Sequence, residues 1–411
     1  MGERKKPELL IPAKGPEELK VAVNFGADAV YIGGETMGLR SGARNFTLEE
    51  MEEGIAFAHG NGVKVYVTAN ILAHNPDLKE AAAFFAETGK LRPDAFIIAD
   101  PGVFSLAREL APDTDIHIST QANNINLMTF LFWGSLGAKR IVAGRELSLD
   151  EIKEIRLNIP PKLEIEAFVH GAMCVSYSGR CLLSNYLTGR DANRGECAHP
   201  CRWKYAVMEE TRPGAYMPIE ENGRGTFIFN SRDLCMIEHI PELIEAGIDS
   251  FKVEGRMKNA LYVASVTRSY RRAIDDYFTS PELYRENLNW YLEEVISSAA
   301  RPFSTGFFFG KPGNEAQNTE EGRPLRSRTL LGVVSDTTAE GGAVIRQKNK
   351  FSLGEKVELM HTDFTGALAT VLRIESEDGT ARESAPHPAE KLRVTLSEPA
   401  RKYDVIRSTD S

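Results

Sequence analysis

From the N-terminus to Arg256 the apolar positions repeat one unit: an amphipathic helix runs into a glycine, and a short apolar strand begins two or three residues later. PEELKVAVNFGADAVYIGG, the stretch ending GNGVKVYVTAN, NLMTFLFWGSLGAKRIVAGRE and IPELIEAGIDSFKVEGR each carry it. They place Gly26, Gly62, Gly137 and Gly247 where a left-handed helix cap belongs, a conformation only glycine enters without steric cost. Four further apolar strands lie between these units: ELLIPA from Glu8, AFIIAD from Ala95, DIHISTQ from Asp115 and LEIEAFVHG from Leu163. Eight strands alternating with helices predict an α/β fold built on a TIM-type (β/α)8-like barrel. An open doubly wound sheet is the alternative, yet ELLIPA leads into AKGPEEL and not into a glycine-rich phosphate loop.

Three stretches depart from that rhythm. A long excursion at about 171–225 precedes the strand TFIFNS and holds four of the five cysteines; loops of such length are usually functional. The helical stretches MKNALYVASVTRSYRRAIDDYF and ELYRENLNWYLEEVISSAA complete a barrel domain over 1–300, and the turn-rich residues 301–325 read as a linker. Over 326–411 the pattern changes to short alternating strands (LLGVVSD, GAVIRQ, KVELMH, GALATVLRIES, KLRVTLS), which predict a small all-β barrel or sandwich.

Composition narrows the class. With 411 residues, 42% of them hydrophobic, the chain can bury a sizeable core. A net charge of -9 gives no global attraction to nucleic acid, so an RNA partner needs a local basic face. MGERKKPELLIPAKG lacks the apolar core of a signal peptide, and no later stretch approaches the roughly 18 apolar residues of a membrane span; the chain reads as cytoplasmic, with no membrane partner.

The cysteines carry the strongest chemical signal. Their spacing is C-x6-C-x15-C-x3-C and then 33 residues to Cys235, all within Cys174–Cys235. Such clustering favours metal chemistry over disulfides, and the spacing is irregular for zinc knuckles. An iron-sulfur centre needs four converging thiolates, here four of Cys174, Cys181, Cys197, Cys235 and Cys201, with Cys201 the substitute for Cys235. Zinc, or a catalytic thiol beside His170 or His199, are the alternatives.

EAFVHGAMCVSYSGRCLLSNYLTGRDANRGECAHPCRW, followed by FNSRDLC and SFKVEGRMKNALYVASVTRSYRRAID, closely resembles the peptidase U-32 (collagenase-like) family, and the likeness spans nearly the whole chain. Neither G-x-S-x-G nor H-E-x-x-H accompanies the peptidase name. The resemblance implies iron-sulfur proteins that hydroxylate RNA bases or a quinone ring. For a chain of this length with one C-terminal β-domain, it implies the prephenate-dependent tRNA uridine hydroxylase branch, which makes 5-hydroxyuridine at the wobble position. It therefore implies a 4Fe-4S cluster, prephenate as co-substrate and tRNA as partner; a paralogous protein partner is left open. Some relatives lack a cysteine at the position of Cys235 and others use it as a ligand, so the fourth ligand stays undecided. Two competing functions are a metal-dependent peptidase and a non-catalytic, zinc-stabilised RNA-binding subunit.

In a TIM-type barrel the chemistry collects at the C-terminal strand ends. Those ends carry Ser119, Thr120 and Gln121; Arg145 and Glu146; Glu166 and His170; Asn230, Ser231 and Asp233; and Lys252, Glu254 and Arg256. Prephenate has two carboxylates, which guanidinium groups bind in bidentate fashion. Arg145 and Arg256 are the first candidates, with Gln121 and Lys252 beside them, and Arg40 and Arg44 in MGLRSGARNF next. Glu166 and His170 are the candidates for moving protons. Salt bridges of Arg145 with Glu166, or Glu254 with Arg256, are the structural alternative. Arg268, Arg271 and Arg272 on the late helix, and Arg190, Arg194, Arg202 and Lys204 in the excursion, are candidates for an RNA face; pairing with Asp275 and Asp276 is their alternative.

Overall fold

A computed structural model describes residues 5–39, 44–173, 181–200, 221–222, 225–226, 232–311, 328–338 and 342–409. Eight parallel strands close into a barrel: β1 (Glu8–Pro12), β2 (Ala29–Gly33), β3 (Lys64–Ala69), β4 (Ala95–Ile98), β5 (Asp115–Ile118), β6 (Arg140–Val142), β7 (Glu164–Gly171) and β8 (Ser250–Val253). Closure is explicit, because β8 pairs in parallel with β1 on one side and β7 on the other. These are the eight strands legible in the sequence.

The helices between them are α1 (Pro16–Asn24), α2 (Leu48–Gly60), α3 (Asn75–Thr88), α4 (Pro101–Leu110), α5 (Leu127–Ser135), α6 (Leu149–Asn158) and α7 (Ile240–Glu245), with α8 (Ala260–Thr279) after β8. Their boundaries follow local chemistry: Thr47 with Glu50, and Ser148 with Glu151, form reciprocal capping boxes at the starts of α2 and α6. The four glycines expected at helix ends all have positive φ, from +73° to +101°. At Gly247 a second constraint applies, since a Cβ there would lie 2.5 Å from Cγ of Arg156, whose guanidinium pairs with Asp249 at 3.1 Å.

The barrel interior is divided. Leu10, Ala29, Tyr31, Tyr66, Ala95 and Ile97 make an apolar cluster on the β1–β4 side. Opposite it stand His117, Arg140, Glu166 and Lys252, all buried. Charge this deep survives only when paired, and it is. Arg140 bridges Glu8 (2.6 Å), Glu164 (2.7 Å) and Glu166 (3.1 Å), and Lys252 closes on Glu166 at 2.7 Å.

The C-terminal strands β9 (Leu330–Thr337), β10 (Ala343–Gln347), β11 (Lys356–Met360), β12 (Gly366–Ser376), β13 (Lys391–Leu396) and β14 (Val405–Ser408) form an antiparallel sheet. It closes through pairing of β11 with β12, so this unit is a barrel and not a sandwich. Leu330, Val333, Met360 and Val405 join the core of the first barrel. Buried Arg407 on β14 holds Glu294 through both nitrogens, at 2.7 and 3.1 Å. No helix of the described residues is long and apolar enough to cross a membrane.

Candidate active site at the barrel mouth

The strand ends of the first barrel surround a small open cavity of about 60 Å³. Tyr31, Thr68, Asn70, Ser119, Thr120, Gln121, Arg145, Lys252, Glu254 and Arg256 supply its polar lining, with Leu39, Ile97, Val142 and Phe168 between them. The four mouth residues expected first from the sequence, Arg145, Arg256, Gln121 and Lys252, are thus brought together.

Each cation is held differently. Arg256 sits against Gly33, where an added Cβ would lie 2.3 Å from its Nη2, and its guanidinium donates to Thr68 Oγ1 (2.9 Å) and Asn45 Oδ1 (2.6 Å). Arg145 stacks over the Phe168 ring at 4.0 Å and donates to the Ala172 carbonyl at 2.5 Å. Its nearest described carboxylate, Glu254, is 3.9 Å away, and its Nε is buried with no hydrogen-bond partner among the described residues. Lys252 lies 4.6 Å from the Tyr31 ring centroid and is anchored from beneath by Glu166. Gln121 Oε1 is likewise buried and unsatisfied among the described residues. Three cations, the Glu254 carboxylate and unmet polar atoms thus line one cavity, a set of groups chemically suited to an anion carrying hydrogen-bonding groups.

Three expected site residues lie elsewhere. Glu166 points into the barrel but is wholly buried under the cavity floor, where it neutralises Lys252 and Arg140. His170 faces the other way. A bulge opposite Lys252 and Val253 skips Val169, so His170 takes the outward register position opposite Val253. There it packs among Tyr262, Tyr270 and Phe303, and burial, with Lys258 second, lowers its pKa to about 3. Arg44 makes a surface ion pair with Glu50 at 2.5 Å, and Arg40 lies outside the described residues. Strand alternation could have found Tyr31 and Thr68, which point inward from β2 and β3; Asn70 immediately follows β3.

The described part of the cysteine-rich excursion packs over the mouth. The Asn193 carbonyl accepts from Leu72 N–H at 3.0 Å, Arg194 pairs with Asp77 at 2.6 Å, and Gly195 abuts Gly38 and Leu39. Cys181 and Cys197 on this segment are half-buried, and Cys197 Sγ accepts the His199 N–H at 3.4 Å, a bond type that tunes cluster sulfurs. Thiol donors suit an iron-sulfur centre or another soft metal. Cys235 is different: it is buried 3.9 Å from the Tyr270 hydroxyl, and burial pushes its thiol up to about 12. Among the described residues no three His, Cys, Asp or Glu side chains converge on a metal position. Cys174 and Cys201, with Asn230, Ser231 and Arg202 to Lys204, lie outside the described residues.

The late-helix arginines are engaged in packing. Arg268 is buried and donates to the Phe364 carbonyl (2.6 Å), Arg271 pairs with Asp28 (2.8 Å) and Asp275 (2.6 Å), and Arg272 with Asp276 (3.5 Å). Arg268 joins the two barrels, and Arg271 and Arg272 are ion-paired within the first.

The chain is 41% identical over 393 residues to tRNA hydroxylation protein P1 of Bacillus subtilis, covering 95% of this chain and 92% of that protein. It is 38% identical over 423 aligned positions to tRNA hydroxylation protein P of Escherichia coli, covering 93% and 92%. An uncharacterized protease of Methanocaldococcus jannaschii matches at 41% over 359 residues, covering 86% and 84%. The peptidase family U32 model matches residues 14–318, and the model of that family's C-terminal domain matches residues 326–407. With both barrels matched in order along the sequence, the chain belongs to peptidase family U32.

Proposed function

We propose that this chain is an RNA-modifying enzyme that hydroxylates tRNA, converting the wobble uridine to 5-hydroxyuridine with prephenate as co-substrate. The observation that carries the reading is the mouth cavity, whose lining brings Arg145, Lys252 and Arg256 together at the strand ends. Two carboxylates of one ligand have matching partners there: Arg145 with its unmet Nε on one side, and Arg256, held against Gly33, on the other. Gln121 offers an amide to a nucleobase edge or a ligand hydroxyl. Relatives named as tRNA hydroxylation proteins, matched over more than nine tenths of their length, support the reaction class.

A 4Fe-4S cluster is proposed on Cys174, Cys181 and Cys197, with Cys201 or Cys235 as fourth ligand, beside the mouth that the Cys181–Cys197 segment covers. Bound there, it supplies one-electron redox chemistry. The protein's own residues do the rest: the cations orient the dicarboxylate, Phe168 and Tyr31 shield the cation heads from water, and Glu166 holds Lys252 in place. The peptidase reading has less to rest on, because the described cavity lining contains neither a histidine nor a cysteine.

The test is a deletion strain free of a second homologue, whose tRNA digests should lack 5-hydroxyuridine until the wild-type gene is restored. Unchanged nucleosides refute the function. Protein purified without oxygen should carry iron and sulfide in equal amounts; stoichiometric zinc without iron would favour the zinc-stabilised binding subunit.

A further inference from the structure

The charged side chains of the C-terminal barrel are unevenly distributed. On β10, Ile345 and Gln347 are buried while Arg346 points out; on β13, Leu392 and Val394 are buried while Lys391, Arg393 and Thr395 point out; on β12, Ile374 is buried and Arg373 points out. The register sets these cations side by side. Arg346 lies directly opposite Lys391, Arg393 stands between Val344 on one side and Glu375 on the other, and Arg373 lies opposite Thr395.

Like charges directly opposite on a sheet face destabilise it, so this arrangement is not explained by folding. Two of the four are compensated: Lys391 by Glu377 at 2.9 Å and Arg373 by Glu375 at 2.8 Å. Arg346 and Arg393 are exposed and make no ion pair with any described residue. In a chain of net charge -9, a face on which Arg346, Lys391, Arg393 and Arg373 meet only Glu375 and Glu377 is a local reversal of sign.

One end of β10 is tied to the first barrel near its mouth. Lys348, two residues beyond Arg346, pairs with Glu17 at 2.7 Å, and Glu17 is in the first turn of α1, which starts at the mouth. The outward residues include no aromatic anchor of the kind on which protein interfaces centre.

We propose that the outward face of β10, β13 and β12 is where the phosphate backbone of the tRNA docks while its target base occupies the mouth cavity; this rests on the function proposed above. Arg346 and Arg393 bind phosphates, and Lys391 and Arg373 exchange their carboxylate partners for further phosphates when RNA is present.

The experiment measures binding of a transcribed tRNA with uridine at the wobble position to the full-length protein, by fluorescence anisotropy across a salt series. The Arg346→Ala/Arg393→Ala double variant should bind about tenfold more weakly near ~0.1 M salt, with the log–log salt slope reduced by about 2, one for each phosphate the variant leaves unneutralised. Both positions are exposed, so the melting temperature should not move, and Arg285→Ala, an exposed charge elsewhere, should bind as wild type does. Wild-type binding by the double variant, with an unchanged slope, overturns the docking face alone and points to an acidic protein as its partner. An equal weakening in Arg285→Ala also overturns it. Failure of the wild-type protein to bind the transcript overturns both this face and the proposed function.

Discussion

Replacing Glu166 with glutamine separates a catalytic role for that residue from a positioning one. Glu166 is fully buried and accepts from Lys252 at 2.7 Å and Arg140 at 3.1 Å, so the substitution leaves buried Lys252 without its carboxylate partner. Removing one partner of a buried pair costs about 3–5 kcal/mol. Arg140 keeps Glu8 and Glu164, and glutamine keeps one acceptor oxygen, which puts the expected loss near the lower end, ~3 kcal/mol. Lys252 should carry most of it. The double variant Glu166→Gln/Lys252→Met should therefore recover a coupling energy of about 2 kcal/mol relative to additivity. Urea midpoints of the four members of the cycle at neutral pH measure this, and turnover is followed in parallel. A positioning role for Glu166 requires stability to fall with turnover. A Glu166→Gln protein with a wild-type midpoint and abolished turnover would falsify it and restore Glu166 as a proton-transfer group.

Gly33→Ala should act on Arg256 alone, since the new Cβ would meet the guanidinium at 2.3–2.7 Å and push it off Thr68 and Asn45. A charge-assisted hydrogen bond is worth roughly 1.5–3 kcal/mol, so calorimetry should show prephenate binding weakened about ten- to a hundredfold; unchanged affinity would remove Arg256 from the site. Acid stability should depend on Glu8. Burial pushes its pKa up, but Arg140 and Lys64 outweigh burial and hold it at about 2, below the ordinary 4.5. The folded value is depressed, so the stabilisation is present above about pH 4.5 and lost as pH falls towards 2, an effect of about 3 kcal/mol. Glu8→Gln should lower the urea midpoint at neutral pH and flatten the decline between those limits, and an unaltered acid limb would show that other groups control it.

The parts of this molecule that were legible in the sequence are those governed by near neighbours. A helix running into Gly26 or Gly247, or an apolar run from Ala95, is a local signal, and eight such signals were enough to anticipate the barrel. Arg145, Gln121, Lys252 and Arg256 were legible because a strand's end marks the mouth whatever the strand pairs with. His170 was misplaced by one residue of register: alternation from Glu166 puts it inside, and only the partner strand reveals that Val169 is skipped. Arg268 and Arg271 look like a solvated basic face until the second barrel and Asp28 are placed against them.

The same distinction between near and distant neighbours governs charge. Alternation along β10 and β13 tells which residues face outward, but not that Arg346 stands opposite Lys391; that depends on pairing between segments far apart in the chain. Glu8 and Arg140 are separated by 132 positions and Glu166 and Lys252 by 86, yet these pairings make the barrel floor ionic and hold Lys252 from beneath. Where distant pairing supplies the countercharge, as at Glu166, the cation is part of the scaffold. Where it brings like charges together, as at Arg346 and Lys391, Glu377 answers only the lysine, and Arg346 is left as the cation on which the proposed docking face rests.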